Sequence, residues 1–194
     1  MKLSRPHGIL LAAGAGSRFG GGKLTHVLEG VAIGVRSARN MLAAGLSVTA
    51  VIRPGSEALG QLLEAEGCVV TECANAVDGM GFSLSHAVAN TVSRSLEAAG
   101  WVVALADMPR IAPGTIDVVA KQIEAGALLA APTYRGERGH PVGLNVRLLN
   151  ELLALTGDQG AREVVKRHHT DMMLIPIDDP GVIFDIDRRE DIAT

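Results

Sequence analysis

Five glycines and two cations follow a short apolar run near the beginning of this 194-residue sequence. The segment extends from Leu10 to Lys23, and its two cations are Arg18 and Lys23. Glycines allow backbone N–H groups to approach a phosphate closely, and the two cations supply positive charge. The formal net charge of the chain is -3, so no broad basic surface is expected. A bound anion must therefore be neutralised by a local cluster of cations. The segment therefore predicts a binding site for a phosphate-bearing ligand.

This glycine loop does not fit the two commoner phosphate-binding motifs. A P-loop requires glycine, four residues and then Gly-Lys-Ser/Thr, but Ser17 occupies the first glycine position and Leu24 replaces the hydroxyl residue. A dinucleotide fingerprint requires G-x-G-x-x-G, but Phe19 occupies the third glycine position. An NADP site stays open as an alternative, because Arg53 ends the next predicted strand and an arginine there can meet a 2′-phosphate. A flexible glycine turn without a ligand is the other alternative.

Carboxylates that could hold a metal ion occur at two places. Asp107 follows the apolar run Trp101–Ala106, which predicts a buried parallel strand whose carboxyl end opens toward a ligand. Asp185 and Asp187 are two residues apart, so they share one face of an extended segment. Mg²⁺ is held by one or two carboxylates together with phosphate oxygens and water, and Mn²⁺ is an alternative. The competing interpretations are a turn residue for Asp107 and a helix cap for Asp187.

Strand and helix patterns alternate around these residues, which predicts one α/β domain. The predicted strands are Gly8–Ala13, Ser47–Ile52, Cys68–Thr71, Trp101–Ala106, Leu128–Ala131 and Met172–Ile177. The predicted helices are Val31–Ala44, Glu57–Glu66, Phe82–Ala99, Thr115–Glu124, Val146–Leu155 and Ala161–His168. The order implies a three-layer α/β/α architecture with a mostly parallel central sheet. A polar loop is predicted directly before His140.

The composition indicates the kind of core and the cellular compartment to expect. Aromatic residues make up only 3% of it, so the core must consist of small aliphatic side chains. Cys68 and Cys73 are interpreted as buried thiols in a reducing compartment. The apolar run Ile9–Ala13 is too short for a signal peptide, and no run is long enough for a membrane span. We therefore expect a cytoplasmic protein without nucleic-acid or membrane partners.

Four segments in a fixed order resemble the MobA-like nucleotidyltransferases, and most closely the branch that attaches a cytidylyl group to molybdopterin. They are Leu10–Lys23, Asn75–Leu84, Leu105–Pro109, and Gly139–Gly143 followed by Gly157–Arg162. The closing segment around Asp185 and Asp187 is also similar, although Arg188-Arg189 stands where the family has Thr-Pro. A second departure is Gly30–Ile33, which lacks the proline of the family's Gly-x-Pro-Leu.

The resemblance implies a Rossmann-like nucleotidyltransferase fold and a set of site residues. The implied catalytic residues are Arg18, Lys23 and Asp107. The implied nucleotide-binding residues are Leu11, Ala12, Ala13, Gly14, Ala15, Gly16, Ser17, Arg18, Lys23, Gly79, Met80, Gly81 and Ser83. The implied acceptor-binding residues are Gly139, His140, Pro141, Gly143, Asp158, Gly160 and Arg162. The implied metal ligands are Asp107 with Asp187 or Asp185. Residues 1–110 would bind the nucleotide and residues 111–194 the acceptor, within a single domain.

The resemblance also implies the reaction. The cytidylyl branch has Leu-Ala-Ala-Gly and the guanylyl branch has Leu-Ala-Gly-Gly, so Ala13 indicates CTP. A CMP group would pass from CTP to the terminal phosphate of molybdopterin with release of pyrophosphate, and a molybdenum hydroxylase or its chaperone would receive the product. The alternatives are GTP as donor, a sugar or polyol phosphate as acceptor, and a non-catalytic insertion partner of a molybdenum hydroxylase.

Overall fold

A computed structural model describes residues 4–92 and 98–193 of the chain. Its strands are β1 (His7–Leu11), β2 (Val27–Leu28), β3 (Val31–Ala32), β4 (Val48–Ile52), β5 (Val69–Glu72), β6 (Gly100–Leu105), β7 (Leu129–Tyr134), β8 (Glu137–Arg138), β9 (Val142–Asn145) and β10 (Met172–Pro176). Its α-helices are α1 (Ile33–Ala43), α2 (Glu57–Ala65), α3 (Met80–Val92), α4 (Pro113–Glu124), α5 (Leu149–Leu153) and α6 (Arg162–Arg167).

Within the described residues, eight strands form one mostly parallel sheet. The order along its main path is β10-β7-β9-β6-β1-β4-β5, with β8 paired to β7. Strand β1 lies at the centre of the parallel part, between β4 and β6. Strand β9 is antiparallel to both of its neighbours, β6 and β7. The predicted three-layer α/β architecture is confirmed, and β1, β4 and β6 present their carboxyl ends at one edge.

The core lies on both faces of the sheet and follows the alternation of side chains along each strand. On β1, Leu10 packs in the layer of α1, α2 and α4, whereas Ile9 and Leu11 pack in the layer of α3, α5 and α6. Every residue of β1 is buried, as expected of a strand covered on both faces. The only tryptophan, Trp101, is fully buried and donates its indole N–H to Thr91 Oγ1 at 2.8 Å.

Three parts of the fold differ from the expectation. Strand β9 was not predicted, because it is short and is held by pairing with two distant strands, and β8 forms within the polar loop predicted before His140. Helix α3 begins at Met80 and is described to Val92, so residues 93–97 of the predicted helix lie outside the described residues. Ala98, which was predicted to continue that helix, instead forms a β-bridge with Ser4.

Both cysteines behave as the composition indicated. Cys68 and Cys73 are free and buried. Burial raises the pKa of the Cys68 thiol to about 11, so it stays protonated and unreactive near neutral pH. Among residues 4–92 and 98–193, no helix is long and apolar enough to cross a membrane.

Candidate functional site

A cleft opens where the glycine loop leaves β1, at the carboxyl ends of the parallel strands. Its cavity measures about 380 Å³, within the range of about 300–1,000 Å³ usual for small-molecule sites. The residues that line it are Leu11, Ala13, Gly14, Ala15, Lys23, Leu24, Arg53, Ala76, Val77, Gly79, Met80, Ser83, Leu105, Asp107 and Asp158. The fold therefore brings most of the predicted nucleotide-binding segments together around one cavity.

The glycine loop turns around the Lys23 side chain. Gly16 has φ of +58°, and a Cβ built there would lie 3.1 Å from Lys23 Cβ. Glycine adopts this left-handed conformation without a steric cost and leaves room for the lysine stem. Phe19 is buried and meets the His26 ring edge-on at 5.3 Å, so it anchors the loop to the domain. This anchoring explains why an aromatic residue occupies the position of a dinucleotide-binding glycine.

Two cations and two carboxylates form a charged cluster beside the cleft. Lys23 Nζ lies 2.7 Å from Asp107 Oδ2 and 4.0 Å from Asp187 Oδ1. Arg18 Nη1 donates to Asp187 Oδ2 at 2.8 Å. This hydrogen bond lowers the pKa of the Asp187 carboxyl and raises the pKa of the Arg18 guanidinium. All three predicted catalytic side chains therefore belong to one cluster, linked through Asp187.

Two of the predicted metal ligands lie near one another. Within the described residues, no group of three or more His, Cys, Asp or Glu side chains is arranged to hold a metal. Asp107 and Asp187 both lie within 4.0 Å of the Lys23 ammonium, however, so the pair could offer carboxylate oxygens to a divalent cation that completes its shell with substrate. One or two carboxylates, with phosphate oxygens and water, are the usual Mg²⁺ ligands in nucleotide sites.

The closing segment of the chain is fixed against the end of β6. Ile186 is fully buried, and its N–H donates to the Asp107 carbonyl at 2.9 Å. Asp187 therefore reaches the glycine loop, whereas Asp185 is exposed. The cap of the last turn is Asp191, whose carboxylate accepts from the N–H groups of Asp187 and Arg188 at 2.9 and 2.7 Å. The Asp187 side chain is thus engaged with Arg18 and not used as a helix cap.

Glycines at the start of α3 bring a distant segment into the cleft. A Cβ at Gly79 would lie 2.2 Å from the Gly157 carbonyl carbon, and one at Gly81 would lie 2.5 Å from the Thr156 oxygen. Only residues without side chains permit this contact. Asp158, predicted to bind the acceptor, consequently lines the same cavity as Met80.

The segment Gly139–Gly143 lies outside that cavity wall and is packed tightly. A Cβ at Gly139 would lie 2.2 Å from the Val182 oxygen, and one at Gly143 would lie 2.6 Å from Ile123 on α4. The His140 N–H donates to the Val182 carbonyl at 2.8 Å. Both glycines thus have a packing role, and the acceptor-binding role of this segment, of Gly160 and of Arg162 stays a prediction.

The His140 imidazole is held neutral. Its pKa is lowered to about 4, mainly by burial and also by nearby Arg138, while Asp107 partly offsets both effects. Its Nδ1 is buried and has no hydrogen-bond partner among the described residues. A group that is uncharged at neutral pH can donate or accept a hydrogen bond, but it does not titrate there.

This shift predicts an acid-sensitive contribution to stability. The folded chain binds the His140 proton more weakly than the unfolded chain, whose pKa is the ordinary 6.5, so stability falls from pH 6.5 down to about pH 4. The full loss is at most about 3 kcal/mol. We expect His140→Gln to lose less unfolding free energy between pH 7 and pH 4.5 than the wild type, measured by urea denaturation. The exposed His169→Gln is the control, and equal losses in all three proteins would contradict the prediction.

Several residues that line the cleft were not assigned to it from sequence. They are Leu24, Arg53, Ala76, Val77 and Leu105. Arg53 directly follows β4, which pairs with β1. The sequence indicated Arg53 only in the NADP alternative, as a ligand of a 2′-phosphate, although the rule that ligands lie at strand carboxyl ends applies to it as it does to Asp107.

The chain is similar in sequence and in fold to known proteins. Residues 8–172 match the family model described as MobA-like NTP transferase domain. Rv0371c from Mycobacterium tuberculosis H37Rv is 24% identical, with a TM-score of 0.82 over 98% of this chain and 97% of that chain. Its complex with manganese gives 23% identity and a TM-score of 0.79, again over 98% and 97%.

A more distant structure is CMP:2-keto-3-deoxy-manno-octonic acid synthetase complexed with CTP. It is 12% identical, with a TM-score of 0.70 over 90% of each chain. At these identities the structural similarities show the fold. No curated protein sequence gives a significant match.

Proposed function

Because the chain belongs to the MobA-like NTP transferase family, we propose that it transfers the CMP group of CTP to the terminal phosphate of molybdopterin and releases pyrophosphate. Nucleotidyl transfer is the activity of the family, and the base and the acceptor are the proposed part. The observation that carries the proposal is the ion pair of Lys23 and Asp107, 2.7 Å apart between the glycine loop and the end of β6. It pairs a cation suited to a phosphate with a carboxylate suited to a metal ion in the wall of one cavity.

The reaction needs positioning and charge neutralisation. An oxygen of the acceptor phosphate attacks the α-phosphorus of CTP in line, the bond to the β-phosphate oxygen breaks, and pyrophosphate leaves with that electron pair. The attacking phosphate is already anionic, so no general base is required. A Mg²⁺ ion held by Asp107 and Asp187 would supply positive charge next to the triphosphate. Arg18 and Lys23 donate to the phosphate oxygens on which charge accumulates.

The charged cluster is suited to an exchange of partners. Before the nucleotide arrives, Arg18 neutralises Asp187 and Lys23 neutralises Asp107. With the two carboxylates holding a divalent cation, Arg18 and Lys23 would be free to donate to the phosphates. The same four groups therefore serve the free and the bound states, and the cluster keeps opposite charges paired in both.

The proposed acceptor rests on the resemblance of Gly139–Gly143 and Gly157–Arg162 to the molybdopterin branch. One observation supports it, since Asp158 from the second of these segments lines the same cavity as the glycine loop.

The test is pyrophosphate release by the purified protein with Mg²⁺, molybdopterin and each of CTP, GTP, ATP and UTP in turn. We expect release with CTP and a product with the mass of the cytosine dinucleotide. A preference for GTP would make the chain a guanylyltransferase. Turnover only with sugar or polyol phosphates would change the acceptor, and binding of molybdopterin without turnover of any NTP would favour a non-catalytic insertion partner.

Ala13 offers a separate test of the base. Its methyl group lines the cavity, so Ala13→Gly enlarges the space beside the proposed base position. We expect the ratio of kcat/KM for GTP over CTP to rise about tenfold, as a pocket difference of roughly 1–3 kcal/mol permits. The control is Ala125→Gly at the exposed end of α4, outside the cavity. An unchanged ratio would mean that the base is selected elsewhere.

A further inference from the structure

A second cavity borders the glycine loop next to the first. It measures about 230 Å³, and its wall includes Gly14, Ala15, Lys23, Leu24 and Arg53, which also line the first cavity. The remaining lining residues are Ala12, Gly22, Thr25, Gly55, Ser56, Ala58 and Leu59. The two cavities thus meet along Gly14-Ala15 and share both of their cations.

The second cavity has no acidic group in its wall. Lys23 and Arg53 are its only charged lining residues within the described part of the chain. The first cavity differs, because Asp107 and Asp158 contribute carboxylates to it. An acid-free compartment with two cations attracts anions and disfavours cations.

Of the cations Arg18, Lys23 and Arg53, only Arg53 lacks a carboxylate partner among the described residues. Lys23 is paired with Asp107 and Arg18 with Asp187. The Arg53 guanidinium makes no hydrogen bond, ion pair or aromatic contact with any described residue. It is partly buried at the end of β4, where it borders both cavities. A guanidinium without a protein partner is available to a phosphate, which it can bind with two parallel hydrogen bonds.

We infer that the second cavity is an anion subsite that holds the terminal phosphates of the bound nucleotide, with Arg53 as their ligand. The inference rests on the nucleotide-binding role proposed above. The nucleoside then lies in the first cavity, beside Leu11 and Ser83, and the polyphosphate passes Lys23 toward Arg53. The Ser56 hydroxyl, which does not cap α2, is available to the same phosphates.

The experiment compares equilibrium binding of CTP, CMP, cytidine and inorganic tripolyphosphate without acceptor. We expect Arg53→Gln to weaken CTP and tripolyphosphate about ten- to hundredfold, the loss typical of a charge-assisted hydrogen bond, and to leave cytidine unchanged and CMP nearly so. Arg53→Lys should lose less, because it keeps the charge but not the paired geometry. The matched control is Arg39→Gln, which removes an exposed arginine paired with Glu66 outside both cavities.

A second variant tests the cavity without altering Arg53. Ala58 is exposed on α2 and lines the second cavity, so Ala58→Glu places a carboxylate beside Arg53 on a helix that tolerates it. We expect it to weaken CTP and tripolyphosphate at least severalfold at low salt, with cytidine unaffected. Unchanged CTP binding in both variants would overturn the subsite. Equal weakening of CTP and CMP would instead assign Arg53 to the base or the α-phosphate.

The binding experiment tests the anion subsite independently of the proposed reaction. Tight CTP binding that depends on Arg53, without pyrophosphate release to molybdopterin, would leave the subsite standing and remove the proposed acceptor. If the wild-type protein binds neither CTP nor tripolyphosphate, both the subsite and the proposed donor are wrong.

Discussion

Asp107→Asn is expected to lower the rate of pyrophosphate release by at least about a thousandfold, equivalent to roughly 4 kcal/mol of transition-state stabilisation. The substitution keeps the shape of the side chain but removes the negative charge from the position that faces Lys23 at 2.7 Å. A neutral amide is a poor Mg²⁺ ligand beside a single remaining carboxylate, Asp187. The measurement is kcat with CTP and molybdopterin over a range of Mg²⁺ concentrations, and we expect the variant to require far more Mg²⁺.

Two controls separate loss of the metal from loss of the fold. The asparagine oxygen can still accept from Lys23 Nζ, and Asp187 remains 4.0 Å from that ammonium, so the variant should stay folded at the assay temperature although the loss of the charge partner lowers its melting temperature. Asp171→Asn removes a carboxylate from an exposed position far along the chain and should leave the rate unchanged. Activity within tenfold of the wild type, at the same Mg²⁺ requirement, would restrict Asp107 to the role of a partner for Lys23.

The parts of the site that were predictable from sequence follow local rules. A glycine loop after a buried strand and a carboxylate at the end of another strand are each visible within about fifteen residues, a window in which strand and turn patterns operate. Because parallel strands present their carboxyl ends at one edge, the meeting of Lys23 with Asp107 could be expected before the structure. The two-residue spacing of Asp185 and Asp187 did not reveal which one faces the loop. That choice depends on burial of Ile186 between them.

The parts that sequence could not supply depend on contacts between distant segments. Strand β9 is four residues long and owes its position to pairing with β6 on one side and β7 on the other. Such a short run has no distinct period, and Gly143 within it reads as a breaker until its packing against Ile123 is known. Asp158 likewise enters the cleft because Gly79 and Gly81 admit the backbone of Thr156–Asp158. No pattern along the chain encodes that approach.

Lys23 is the second residue whose replacement should have a large effect. Its side chain is only 9% exposed, and the loop closes over its stem at Gly16. Lys23→Gln removes a cation that we propose donates to the transferring phosphate, so we expect kcat to fall about a hundred- to a thousandfold, the usual cost of losing such a donor. Lys23→Arg should not restore it, because a planar guanidinium does not fit the space of a compact ammonium. Full activity of the arginine variant would mean that charge alone suffices.

The double variant Lys23→Gln/Asp107→Asn tests whether the two groups act as one unit. If both serve the same triphosphate, each single variant already forfeits most of the stabilisation, and the double variant should be little slower than Asp107→Asn alone. Additive losses would mean independent roles for the loop and the carboxylate. The melting temperature of the double variant should be no lower than that of the Asp107→Asn variant. The reason is that removing both charges leaves neither one unpaired in a half-buried site. A marked further loss of stability in the double variant would show that Lys23 supports the loop through its stem as well as through its charge.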